Sequence, residues 1–161
     1  MKIIFWVGVI VSGAITIAGF AMTNYFTAPF DPPNLNAGGN GNAALFFVAF
    51  PFLIILFFFF QMMFVFEKIH ERLSFNFDKL KTIYLLTFVL LMSYSIYRII
   101  QFRQKMQPHF DYEIGYLTPF SNHLFFNFWT FLACLCISSL GSFYTKVRLK
   151  PVEINKEGAG N

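Results

Sequence analysis

Residues 43–66 read AALFFVAFPFLIILFFFFQMMFVF, a run of 24 residues without one charged side chain. As an α-helix this run would be about 36 Å long, and the hydrocarbon core of a bilayer is about 30 Å thick. The run does not alternate between apolar and polar residues, as the strands of a membrane β-barrel do. It therefore predicts a transmembrane helix.

Three further stretches share this length and composition. Residues 3–22 and 124–145 carry no charge. The third stretch is free of charge over residues 83–97, and it extends to residue 102 if the charged end of Arg98 turns towards the membrane surface. The whole chain is 57% hydrophobic and 12% charged, whereas ordinary globular domains are about 25% charged. We therefore predict an all-α integral membrane protein, a four-helix bundle with spans at about 3–22, 44–66, 82–102 and 124–145.

The four spans are predicted to form one membrane domain over residues 1–150. The first apolar stretch is 20 residues long, and the apolar core of a signal peptide is usually about 7–15, so we expect it to be retained as a span. Pro151 ends the last helix, and residues 151–161 are mostly polar. This segment is predicted to be a disordered C-terminal tail.

Basic residues are distributed unevenly between the segments that join the spans. On the side of the membrane where span three ends, the basic residues are Arg98, which lies near the end of that span, and Arg103 and Lys105, which follow it. The other basic residues lie at the N-terminus, between spans two and three, or after span four: Lys2, Lys68, Arg72, Lys79, Lys81, Lys146, Arg148, Lys150 and Lys156. Because cytosolic segments are enriched in Lys and Arg, both termini are predicted to be cytosolic. The same rule accounts for the net charge of +4, so no nucleic-acid partner is expected.

Both ends of span three carry local signals. Asp78 is predicted to cap the start of the helix, because its carboxylate accepts hydrogen bonds from free backbone N–H groups. Residues 109–114 alternate between polar and apolar side chains, which is the period of a strand. The outer loop between spans three and four is therefore predicted to be short and either β-like or irregular.

Four residues of this outer region are weak candidates for metal ligands: His109, Asp111, Glu113 and His123. Nitrogen and oxygen ligands suit zinc and other transition metals. A His-x-Asp-x-Glu pattern is common by chance, and scattered ligands in a turn-rich loop give no fixed geometry. We expect no metal and no other cofactor.

Two further motifs are interpreted as structural. Cys134 and Cys136 project about 200° apart on a helix, so they cannot pair and are expected to pack as small apolar residues. Glu67 and His70 match half of a di-iron motif, but the second Glu-x-x-His is missing, so both are predicted to lie on a solvated helix surface.

Arg98 lies beside Tyr94 and Tyr97 at the end of span three. One interpretation is a pocket for an anionic ligand. The preferred interpretation is an anchor at the membrane interface, where Tyr is enriched and Arg reaches the headgroups.

Small residues recur every fourth position in spans one and four, which is the spacing that lets membrane helices approach closely. Such stripes pack one span on the other or dock a partner. Gln61 is expected to hydrogen-bond to another helix. The predicted packing residues are Gly8, Ser12, Thr16, Gln61, Cys134, Ser138 and Ser142.

No Asp, Glu, Lys, Arg or His lies in the middle of a span, and no catalytic set is recognisable, which disfavours ion relays and enzymes. We expect a non-catalytic accessory or structural subunit, or a small regulatory or immunity-type protein. It would act through association with other membrane subunits or with itself. The alternatives are an oligomeric transporter or channel, and then a membrane enzyme with an outer-loop site. The expected location is the plasma membrane of a bacterium, with an organellar membrane as the alternative.

Overall fold

The computed structural model describes residues 2–28, 42–72, 76–111 and 113–148, with side chains up to Tyr144. This part of the chain contains helices and no strand. The helices are α1 (Ile3–Tyr25), α2 (Phe46–Ala49), α3 (Phe52–Arg72), α4 (Phe77–Met106), α5 (Asn122–Phe125) and α6 (Phe128–Arg148). Four helical segments are long and apolar enough to cross a membrane, which confirms the predicted class of a four-helix integral membrane protein. The predicted tail, residues 151–161, lies outside the described residues.

Pro51 divides the second predicted span. Helix α2 ends at Ala49, two residues before the proline, and α3 begins at Phe52, just after it. Proline has no N–H to donate to the preceding turn, whereas its carbonyl still accepts a bond from Ile55 N–H at 2.9 Å. The long helix therefore starts later than predicted, and it continues to Arg72.

Helix α4 begins five residues before the predicted start of its span. Asn76 caps it, because its side-chain oxygen accepts hydrogen bonds from the N–H groups of Asp78 (3.1 Å) and Lys79 (3.3 Å). The prediction that Asp78 is the cap was therefore wrong. Asp78 lies in the first turn, where a negative charge favours the helix dipole.

The last predicted span is also divided, and Asn127 joins its two parts. The Asn127 oxygen accepts hydrogen bonds from the N–H groups of Trp129 (2.8 Å) and Thr130 (3.1 Å) at the start of α6. Its amide nitrogen donates to the carbonyls of His123 (3.0 Å) and Leu124 (2.8 Å) in α5. One side chain thus satisfies free backbone groups of two helices.

The segment after α4 is irregular over its described residues, so the β-like alternative for this loop was wrong. A 3₁₀ turn, Gln107–His109, follows α4 directly. The Gln107 side chain accepts from Ile114 N–H at 3.3 Å, and Arg103 Nε donates to the Ile114 carbonyl at 3.1 Å. Because side chains occupy these backbone groups, a strand partner is not needed there.

The long helices form a bundle in which α3 packs between α1 and α6, and α6 packs between α3 and α4. We call the end that holds Lys2, Arg72 and Phe77 the basic end. The opposite end, which holds Tyr25, Met106 and α5, is the loop end.

Candidate functional site

The contact between α1 and α3 is built around Gln61. Its side chain is 5% exposed, and its Oε1 lies 2.8 Å from the hydroxyl of Ser12, which is also buried. The Ser12 hydroxyl lies 2.7 Å from the Gly8 carbonyl as well, so its one proton serves two acceptors. A polar group in an apolar span thus finds its partner on the neighbouring helix.

Glycine makes this close approach feasible. A Cβ added at Gly8 would lie 2.8 Å from the Gln61 amide nitrogen, and one at Gly13 would lie 3.0 Å from the Phe58 ring. Thr16, the third member of the α1 stripe, is fully buried and donates to the Ser12 carbonyl at 2.8 Å. The stripe of α1 therefore faces the bundle interior, with Gly8 and Ser12 against α3.

The α6 stripe also faces α3. A Cβ at Gly141 would lie 2.6 Å from the end of Met63, and Ser142 contacts His70. Ser138 is buried and donates to the carbonyl of the half-buried Cys134 at 3.1 Å. Met63 and His70 lie about 180–200° around α3 from Gln61. The stripes of α1 and α6 thus pack on opposite sides of α3 and do not pair with each other.

His70 is the centre of a second buried polar group at the basic end. It is 3% exposed, so the prediction that it lies on a solvated surface was wrong. Its Nδ1 lies 3.1 Å from Ser142 Oγ, and its Nε2 lies 3.4 Å from Tyr84 Oη and 3.5 Å from Ser139 Oγ. The ring stacks on Phe143 with centroids 4.6 Å apart. These contacts join α3, α4 and α6.

Hydroxyl groups lie beside both ring nitrogens of His70. Ser142 Oγ, which donates to the Ser139 carbonyl at 2.6 Å, lies beside Nδ1, and the hydroxyls of Tyr84 and Ser139 lie beside Nε2. The group therefore connects helices through polar contacts on both sides of the imidazole. Ser139 and Ser142, three residues apart on one helix face, were the sequence signal for it.

Polar contacts also close the loop end. Asn42 and Asn122 exchange two amide hydrogen bonds of 2.7 and 2.6 Å, and Asn122 is fully buried. Thr23 Oγ1 lies 3.2 Å from the Ala44 carbonyl, and the Asn24 amide donates to the Phe126 carbonyl. Side-chain amides near α1, α2 and α5 thus hold together the ends of three helices. None of these residues is among the packing residues predicted from the sequence.

The weak metal candidates do not come together. Glu113 forms an ion pair with Arg103 at 2.5 Å, while His109 and Asp111 are exposed. His123 is half-buried, with its ring edge-on to Phe102 at 5.5 Å. Within residues 2–28, 42–72, 76–111 and 113–148, no three His, Cys, Asp or Glu residues are arranged to hold a metal ion.

Several cavities open on the surface of the described part of the bundle. A groove of about 780 Å³ lies between α1 and α3, and its apolar wall includes Phe57 and Phe64. At the loop end, a cavity of about 380 Å³ lies between α4 and α5, with a smaller one of about 140 Å³ beside it. Arg98 and His123 line both of these loop-end cavities.

The fold defines the class of protein as a four-helix integral membrane protein, and its polar contacts join helices. No family model, curated protein or solved structure matches the chain.

Proposed function

We propose that the protein is a non-catalytic accessory subunit of a membrane complex and that it associates with its partner through α4. The observation that carries the proposal is the position of this helix at the edge of the bundle. Within the most apolar part of this helix, only 6% of the residues are buried by the rest of the chain, compared with 22–28% in the corresponding parts of the other three spans. Helix α4, the longest helix among the described residues, therefore has the smallest buried share of the four spans.

Most residues of α4 are exposed, and one of its faces has the spacing of a helix-pairing seam. Five of the exposed residues follow each other in alternating steps of three and four, the spacing along which two helices pack: Leu86, Val89, Ser93, Ile96 and Ile100. Ser93 places one small residue near the middle of this seam, where a partner backbone can approach closely.

The transporter alternative has less support because the polar side chains of the spans already contact neighbouring helices. Gln61 contacts Ser12, and His70 contacts Ser142. Such groups would have to face an aqueous path in a conventional transporter. The enzyme alternative has less support because Glu113 is paired with Arg103.

For the cellular setting, we infer a cytosolic basic end and therefore cytosolic termini, in the plasma membrane of a bacterium. The basis for this orientation is the concentration of Lys and Arg at the basic end.

Photo-crosslinking in the native membrane tests the α4 seam. A photoreactive phenylalanine analogue would replace Val89 or Ile96, and the matched control would carry it at Ile10, which is 68% exposed on α1. We expect a protein adduct of discrete mass from the α4 positions and lipid adducts alone from Ile10. An adduct of twice the chain mass would identify a second copy as the partner. Lipid adducts alone at all three positions would refute the proposal.

A further inference from the structure

We propose that the loop-end cavity between α4 and α5 binds an anionic phosphate group, as found on the headgroup of an anionic phospholipid or on a soluble phosphate. Two basic side chains, Arg98 and Lys105, line this cavity of about 380 Å³. The proposal is independent of the partner inferred for α4.

The charges of these two side chains are not neutralised within the described part of the chain. Arg103, on the same helix, forms an ion pair with Glu113 at 2.5 Å and donates to Tyr116 Oη at 3.0 Å. Arg98 and Lys105 form no ion pair within the described ranges. Arg98 donates to the neutral hydroxyl of Tyr94 at 2.9 Å, which leaves its positive charge uncompensated.

The helix places these groups on one side. Arg98, Gln101 and Lys105 are separated by three and four residues, so they follow one face of α4 over about 10 Å. Gln104 adds a second amide, and His123 of α5 forms part of the opposite wall. The wall thus offers guanidinium, ammonium and amide donors, and none of its lining residues is a carboxylate.

The surroundings place the cavity at the depth of lipid headgroups. Tyr94 and Trp129 line the adjoining cavity of about 140 Å³, and their rings contact each other edge-on at 5.9 Å. Tyr and Trp are enriched at the membrane–water interface. Arg98 is exposed beside them, so a phosphate at this depth can reach it from the interface. An arginine suits a phosphate ligand, because two parallel N–H groups of the guanidinium can donate to two oxygens of the phosphate.

Trp129 provides a direct reporter for the test. The chain has two tryptophans, and Trp6→Phe leaves Trp129 as the single emitter. The full chain would be placed in phosphatidylcholine nanodiscs that contain brominated phosphatidylglycerol or, for comparison, brominated phosphatidylcholine. In a separate arm without phosphatidylglycerol, inorganic phosphate would be titrated against chloride of equal ionic strength.

We expect brominated phosphatidylglycerol to quench Trp129 at a lower mole fraction than brominated phosphatidylcholine. Arg98→Gln and Lys105→Gln should each reduce this preference by about fivefold. The matched control, Arg72→Gln with Lys79→Gln, removes two charges at the basic end and should leave the preference unchanged. The Trp129 emission maximum in pure phosphatidylcholine checks that each variant is folded.

A response to inorganic phosphate alone, lost in the Arg98→Gln/Lys105→Gln double variant, would support the site and identify a soluble phosphate as its ligand. Two outcomes would overturn the proposal. In one, neither phosphatidylglycerol nor phosphate gives a specific response. In the other, the folded double variant keeps the full preference.

Discussion

At the scale of single residues, Gly19 of α1 and Gly141 of α6 each pack closely on a neighbouring helix, but they meet different kinds of atoms. A Cβ at Gly19 would lie 2.7 Å from the backbone oxygen of Phe47, whereas a Cβ at Gly141 would meet the flexible end of Met63 at 2.6 Å. A backbone atom cannot move aside without shifting its helix, whereas a methionine changes rotamer at small cost.

We therefore expect Gly19→Ala to lower the free energy of unfolding by about 1–3 kcal/mol and Gly141→Ala by less than about 1 kcal/mol. Unfolding in mixed detergent–SDS micelles would measure both values. An equal cost for the two variants would show that the Phe47 contact does not limit the packing of α1.

His70 is expected to contribute to stability. His70→Ala removes an imidazole that contacts Ser142 and Tyr84 on two other helices, and the buried polar groups that remain lose a partner. We expect a loss of about 1–3 kcal/mol in unfolding free energy. His109→Ala is the control, since His109 is exposed, and its effect should stay within about 0.5 kcal/mol. Equal stability of the two variants would contradict the assigned role of His70.

At this scale the sequence predicts which side chains need partners but not in which direction they point. Gln61 is predicted to bind another helix because an amide in an apolar run needs a partner, and its Oε1 lies 2.8 Å from the Ser12 hydroxyl. His70 is predicted to lie on a solvated surface because the other ligands of a di-iron site are missing from the sequence. Its burial depends on Ser139 and Ser142, about 70 residues later, and no local pattern specifies that three helices meet there.

At the scale of elements, Asn127 is the junction that allows α5 and α6 to follow each other within one span. Asn127→Ala removes both the acceptor for the start of α6 and the donor for the carbonyls of α5. We expect a loss of about 1–2 kcal/mol and faster amide hydrogen exchange at Trp129 and Thr130.

Asn127→Asp separates the two roles of this residue. The carboxylate keeps the acceptor for α6 but loses the donor to His123 and Leu124, so exchange at Thr130 should stay slow. Fast exchange at Thr130 in this variant would show that the acceptor role is not what holds the first turn of α6.

The positions of the spans were predictable from hydropathy, whereas their divisions were not. A run without charges indicates that a segment crosses the bilayer, but it does not record where hydrogen bonding is interrupted. Pro51 is a residue that interrupts helices, and the structure divides the span there, between Ala49 and Phe52. Asn127 lies in an apolar run and gives no such signal, because its capping geometry depends on the local backbone.

At the scale of the whole molecule, the orientation in the membrane can be tested by cysteine labelling. In a background without Cys134 and Cys136, Gly115→Cys reports on the loop end and Lys79→Cys on the basic end. A Cβ at Gly115 has no atom within 4 Å, so this substitution should not disturb the loop. We expect Gly115→Cys to react with an impermeant reagent in intact cells and Lys79→Cys only after permeabilisation. The reverse labelling pattern would contradict the proposed topology and place the loop end in the cytosol.

The sequence separation of the helix contacts sets the order in which they can form during synthesis of the chain. The contact of Ser12 with Gln61 spans 49 residues, so it can form once the first two spans have been synthesised. The Asn42–Asn122 pair and the contact of Asn24 with Phe126 span 80 and 102 residues, so they must wait for the final span. A chain that stalls after α4 would present the amides of Asn24 and Asn42 without these partners. Contacts of these amides across the loop end would then be missing, so the unfinished chain would be less stable in the membrane than the finished one.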